Sequence, residues 1–401
     1  MLPRAGGRPP EAARAVAPGN INSVNHRSQR SAALAFTLLA AGLCLAQAPA
    51  PQAVRVFPKA AWERIERPES AGYSSARLAA LRTWLESIDT TAMMVVVGGR
   101  SLVEYGDLSH LSYLASVRKS VLAMLYGKYV DNGTIDLKKT LEELGIDDVG
   151  GLLPVEKQAT IEHLITARSG VYHEASNPGD ALDSAPPRGS QQPGTYTLYS
   201  NWDFNAAGAV FEKLAGRDIY DALRDDLAVP LGMQDFDREK QRKSGDLKRS
   251  QFPAYHMWLS TRDMARLGLL MLREGEWDGR RILSREWVKR ITSLVTPLRE
   301  MNPPSMRALT RSTRWGYGYM WWVWDAPPGG DGPFAGAYTG MGAAGQYITV
   351  LPRLDMVVAH KTDREQPRKD GASKRPRDVV MNEYNAILHM LIAARCRGAC
   401  E

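Results

Sequence analysis

One serine in this chain stands three residues before a lysine, in Ser116-Val117-Arg118-Lys119. With 25 serines and 14 lysines among 401 residues, about one such pair arises by chance, so the spacing alone proves nothing. Its position gives it weight. Apolar residues Val117, Val121, Leu122, Leu125 and Tyr129 recur at helical steps after it, and Asn132-Gly133 ends the pattern. Ser116 therefore falls in the first turn of a helix, where unpaired N–H groups and the helix dipole favour a developing oxyanion. Lys119 projects from the same face, within reach of the hydroxyl it would activate. An N-cap serine beside a solvated lysine would leave the same letters.

Other side chains could join this pair. Tyr199-Ser200-Asn201 precedes a helix expected over 202–215; as ordinary structure it is a packed tyrosine with a turn asparagine. Gly340-Met341-Gly342-Ala343-Ala344-Gly345 spells a dinucleotide fingerprint, yet Gln346–Leu351 reads as a strand where that site needs a helix. Nucleotide binding is rejected on that ground, and no serine sits in G-x-S-x-G. The seven histidines lack metal-ligand spacing: His163 and His389 fall in helical patterns, His110, His256 and His360 are isolated, and His173 beside Tyr172 is a pocket candidate. Cys396 and Cys400 can close a small disulfide or stand free.

The elements that must position these residues come from both ends. Ala92–Val97 and Leu102–Tyr105 flank Gly98-Gly99 as a hairpin. Gly316–Trp324, Gln346–Leu351 and Met356–Ala359 read as late strands, and a last helix spans about 379–394. Thr261 is taken as the N-cap of a helix running to Glu274. Strands at both ends with helices between them predict an α+β fold: an antiparallel sheet flanked by helices, with a mostly helical domain inserted. The expected division is a signal peptide over 1–48, a linker over 49–60, sheet-domain parts over 61–115 and 251–401, and the helical domain over 116–250.

Serine-x-x-lysine opening a helix, Tyr-x-Asn in the helical region and a glycine-rich entry to a late strand, in this order, resemble the serine β-lactamase and penicillin-binding-protein superfamily. The segments Thr160–Gly170 and Leu259–Gly268 are similar to its sequences as well, so the likeness runs over about 65–395. It looks most like the class C branch, and Gly342–Gln346 running into the strand resembles the 6-aminohexanoate-dimer hydrolase and esterase group. The resemblance implies a β-lactamase-like fold with Ser116 as nucleophile, Lys119 as its activator and Tyr199 as proton shuttle. It further implies Asn201 orienting the substrate or Lys119, the N–H groups of Ser116 and Ala343 receiving the oxyanion beside Gly342, and Tyr172 near the pocket. A cation beside the Tyr199 phenol is expected to favour phenolate.

One departure matters. The family's late-strand cation is missing in either register, Tyr338-Thr339-Gly340 or the favoured Gly340-Met341-Gly342. A lost charge-assisted contact to a substrate carboxylate is worth roughly 1.5–3 kcal/mol, so β-lactams are expected to be poor substrates.

Composition narrows the setting. The chain is 44% apolar and 24% charged, ordinary for a globular protein, with a net charge of +7. Five arginines against Glu11 within residues 1–48 account for four of those seven charges, so the basicity gives little reason to expect nucleic acid. Ser31–Ala46 is apolar, follows Arg27 and Arg30, and precedes Ala46-Gln47-Ala48, a secretory pattern. Sixteen residues are short for about 30 Å of hydrocarbon, so no stable membrane span is expected. The basic run Arg364–Arg377 reads as a solvated loop. Together these features predict an exported, periplasmic or secreted hydrolase. It needs no cofactor or metal and cleaves a small-molecule ester or amide through an acyl-enzyme. The alternative is a catalytically silent ligand-binding or cell-envelope module of the same fold.

Overall fold

The structure, a computed structural model, describes residues 55–311, 313–366, 377–396, 398 and 400. The expected signal peptide and most of the basic run lie outside these residues. Everything described belongs to one unit, Val54–Glu401.

Seven strands form its main sheet among the described residues: β1 (Ala92–Val97), β2 (Arg100–Gly106), β3 (Trp315–Tyr317), β4 (Trp322–Trp324), β5 (Tyr338–Gly342), β6 (Gln346–Leu351) and β7 (Met356–Lys361). Their spatial order is β2-β1-β7-β6-β5-β4-β3, antiparallel throughout. The two chain ends thus meet at the β1–β7 pair. Gly98 and Gly99, both at positive φ, make the two-residue turn from β1 to β2 that β-carbon-bearing residues would strain.

Helices α1 (Ser75–Ser87), α2 (Val117–Asp131), α3 (Asn201–Ala215), α4 (Thr261–Leu272), α5 (Arg285–Ile291), α6 (Pro304–Arg311) and α7 (Met381–Ala393) complete the frame that matters here, and α1 packs on α7. Side chains alternate across a strand, so the sheet's two faces can be assigned. Ile348 and Val357 face α4, where a Cβ at Gly268 would come within 2.4 Å of Val357. Tyr347 and Thr349 face α7: Tyr347 stacks on Tyr384, and Thr349 shares a hydrogen bond with it at 2.6 Å. The α+β class and the assembly from both ends are as expected.

Two local expectations are corrected. Ser260, not Thr261, caps α4: its Oγ accepts from Asp263 N, while Thr261 sits inside the helix with its hydroxyl unpartnered. The chain leaves the short strand Trp258–Leu259 at Ser260, which fixes the cap one residue earlier. The run Gly316–Trp324 is no single strand; it folds back between β3 and β4 with Met320 at φ +58°. Cys396 and Cys400 form a disulfide, with Cα atoms 5.3 Å apart.

Candidate active site

Helix α2 is buried on nearly every side, packed by α3, α5, β5 and β6. Its start is held by the tie of Leu114 N to Met257 O and by Ala115 at φ +48°. Ser116 is the N-cap residue, yet its side chain makes no capping hydrogen bond. The hydroxyl is free for chemistry. Lys119, one turn on and 1% exposed, places Nζ 3.1 Å from Ser116 Oγ, 2.7 Å from Tyr199 Oη and 2.8 Å from Asn201 Oδ1.

Each partner is fixed from behind. Ser200 caps α3 through Trp202 N, which sets Tyr199 just before the helix and Asn201 as its first residue. The Tyr199 ring stacks on Trp322 and packs edge-on to Tyr317. Asn201 Nδ2 donates to Pro178 O, and Asn201 N donates to Asp180 Oδ2. With its amide so oriented, Oδ1 faces the lysine.

The charge states follow from burial. Desolvation pushes the Lys119 amine well below its ordinary range; the nearby Arg118 cation adds to this and Asp180 opposes it. Desolvation also pushes the Tyr199 phenol up to about 12, against the opposing hydrogen bond with Ser116 and the Arg118 charge. The expected phenolate is therefore corrected: burial favours the neutral form of both groups, and Tyr199 rests as a phenol.

The pair opens onto a cavity of about 390 Å³. Ser116, Tyr199, Gly342 and Ala343 line it, with Asp180, Met306, Trp322, Met341, Tyr347 and Met381 among the rest. Asp180 and Asp378 are the only Asp, Glu, Lys, Arg or His side chains on its described wall, and Arg364 is paired with Asp378. The Gly340-Met341-Gly342 register is the one at the cavity. A Cβ at Gly342 would lie 2.6 Å from Leu114 O and 3.1 Å from Ser116 N, so glycine lets β5 pass beside the Ser116 backbone. Tyr338 and Thr339 turn elsewhere, to Trp321 and Thr349.

Tyr172 is buried against Tyr196 and is not among the described residues lining this cavity. Neither is His173, whose ring nitrogens meet Glu174 O and Val149 O. Sequence reasoning passed over Asp180, Trp322, Tyr347, Met306 and Met381, which converge from separate elements. Only Asp180, directly after Gly179 in a stretch rich in Pro, Gly and Ser over 176–194, carried a local cue. Among the described residues no group of three or more metal-ligating side chains gathers, and no helix is long and apolar enough to cross a membrane.

The profile of the family described as Beta-lactamase matches residues 80–381. A 6-aminohexanoate-dimer hydrolase of Paenarthrobacter ureafaciens is 25% identical over 320 residues, 73% of this chain and 77% of that protein. Among solved structures, a class C beta-lactamase mutant superposes with a TM-score of 0.56 at 12% identity, covering 82% of this chain and 99% of the other. A hydrolase with promiscuous acyltransferase activity gives 0.53 at 16% identity, covering 80% and 99%. These two structures share the fold.

Proposed function

The chain belongs to the beta-lactamase family, and from that premise we propose that it is an exported serine hydrolase. It cleaves a carboxylic ester or amide through an acyl-enzyme, with β-lactams as poor substrates. The observation that carries this reading is the Lys119 amine, buried and within hydrogen-bond distance of Ser116 Oγ, Tyr199 Oη and Asn201 Oδ1 at the floor of the cavity.

The free amine takes the Ser116 proton as Oγ attacks the substrate carbonyl. The N–H groups of Ser116 and Ala343 receive the oxyanion. As the tetrahedral intermediate collapses, the Tyr199 phenol gives its proton to the leaving oxygen or nitrogen and regains one from the Lys119 ammonium. Water then repeats the sequence on the acyl-enzyme: its proton goes to Lys119 and a proton returns to Ser116 as the acid departs.

Asp180 on the described wall disfavours an anionic substrate, whereas Asp378 is paired with Arg364. The P. ureafaciens relative is named for the 6-aminohexanoate dimer, and an amide bearing an ammonium is a second reading that Asp180 favours. Export rests on the sequence pattern over 27–48.

The test is labelling with a fluorophosphonate, followed by a panel of p-nitrophenyl esters, amides and nitrocefin. Labelling that Ser116→Ala abolishes, with esters turned over faster than nitrocefin, is the expected result. Absence of labelling in the wild-type protein would favour the silent module.

A further inference from the structure

His360, isolated in the sequence, is wholly buried on β7 and holds the turn that carries Ala343. The register of β6 and β7 sets it opposite Tyr347, on the face covered by α7. Its Nδ1 is 2.7 Å from Gly345 O and its Nε2 is 2.8 Å from Thr90 Oγ1. A carbonyl oxygen can only accept, so Nδ1 carries a proton and donates, while Nε2 shares a hydrogen bond with the Thr90 hydroxyl. The ring cannot swing away, because Tyr347 and Tyr384 pack against it at 5.9 and 5.4 Å.

Gly345 closes the turn Ala343-Ala344-Gly345 between β5 and β6. Ala344 and Gly345 both adopt positive φ, +67° and +89°, a conformation that costs an alanine energy unless its surroundings enforce it. Neither alanine offers a polar side chain to pin the turn. Two side chains anchor its far end: His360 through the Gly345 carbonyl, and Gln346, whose Nε2 donates to Thr362 O at 2.6 Å.

We propose that His360 is a positioning residue for the reaction: its Nδ1–H clamps the Gly345 carbonyl, and this fixes the direction of the Ala343 N–H two residues earlier. The Thr90 hydroxyl, bonded to Nε2, holds the ring in the orientation that makes the clamp. The inference rests on the reading of Ala343 as an oxyanion donor. Such a donor works only when preorganised, so a tilted turn weakens the transition state and leaves substrate binding in the cavity nearly untouched.

The test compares His360→Leu, His360→Asn and Thr90→Val in the full chain. Its readouts are kcat and KM for an ester, and inhibition by an arylboronic acid, whose tetrahedral adduct places an oxygen at the oxyanion position. His360→Leu is expected to lower kcat and weaken boronate inhibition together by about tenfold to hundredfold, with KM within about threefold of wild type. His360→Asn, whose amide N–H reaches toward the position of Nδ1, is expected to recover most of that loss. Thr90→Val is expected to lower kcat by about threefold, because the ring loses one of the two hydrogen bonds that hold its orientation. A folded His360→Leu protein with wild-type kcat overturns the proposal, as does equal loss in the leucine and asparagine variants with KM rising in step. Should His360→Leu fail to fold, Thr90→Val with unchanged kcat and boronate inhibition overturns it alone. Failure of the underlying reading looks different, since phosphonate labelling would then survive Ser116→Ala.

Discussion

Lys119 Nζ donates to Asn201 Oδ1 at 2.8 Å, and Asn201 is tied to the loop ahead of α3 through Pro178 O and Asp180. The amide thus holds the amine without supplying charge. Asn201→Asp would place a carboxylate in that position, and an adjacent anion favours the ammonium. In the proposed mechanism the working base is the free amine, so activity is present above its pKa and lost as pH falls through it. The acid limb of kcat/KM should move toward alkaline pH, and activity on that limb should fall about tenfold per unit of movement. A limb that stays in place would show that another group serves as base.

Arg118 is the second lever on the same amine. It is 2% exposed, with Nη2 donating to Asn205 Oδ1 at 3.3 Å and the guanidinium 4.6 Å from the Tyr255 ring centre, while Nη1 finds no partner. Its charge disfavours the Lys119 ammonium. Arg118→Met should therefore also shift the acid limb toward alkaline pH, while Arg118→Lys should hold it nearer the wild-type position. A pH–rate series on the three proteins decides.

Tyr199→Phe removes one oxygen and leaves the ring's contacts with Trp322, Tyr317 and Phe204 in place. Loss of the proton relay should cost about 10²–10⁴ in kcat. The melting temperature should change little, and near-wild-type kcat would reduce Tyr199 to packing.

Gly342→Ala puts a methyl group against Leu114 O and Ser116 N. Either β5 or the start of α2 must move. A displacement of this kind near the reacting atoms should cost about hundredfold in kcat, with a smaller effect on KM. Steady-state kinetics with a stopped assay for each ester would show it.

Much of the site was legible because its members are local in sequence. Ser116 and Lys119 share a helix face by spacing, and Tyr199 and Asn201 share one entry to α3. The remaining wall was hidden for a physical reason. Met306, Trp322, Tyr347 and Met381 lie on α6, β4, β6 and α7, and which of their side chains meet depends on the order of strands, which no local pattern encodes. The reversal between β3 and β4 passes through Met320 at positive φ, a position that methionine does not announce. The charge state of Tyr199 was misjudged because burial, invisible in the letters, outweighs the neighbouring cation.

The β1–β7 pairing also governs the order in which the molecule can be made. Strand β1 ends at Val97 and its inner neighbour begins only at Met356, so β1 keeps one bare edge until β7 has been synthesised. The cavity is completed equally late, since Ser116 is joined there by Gly342 and Ala343. An unpaired apolar edge invites pairing with other chains, and such long-range closure is slow. Chains cut short before β7 should therefore aggregate rather than fold, since their first hairpin is left with an open apolar edge.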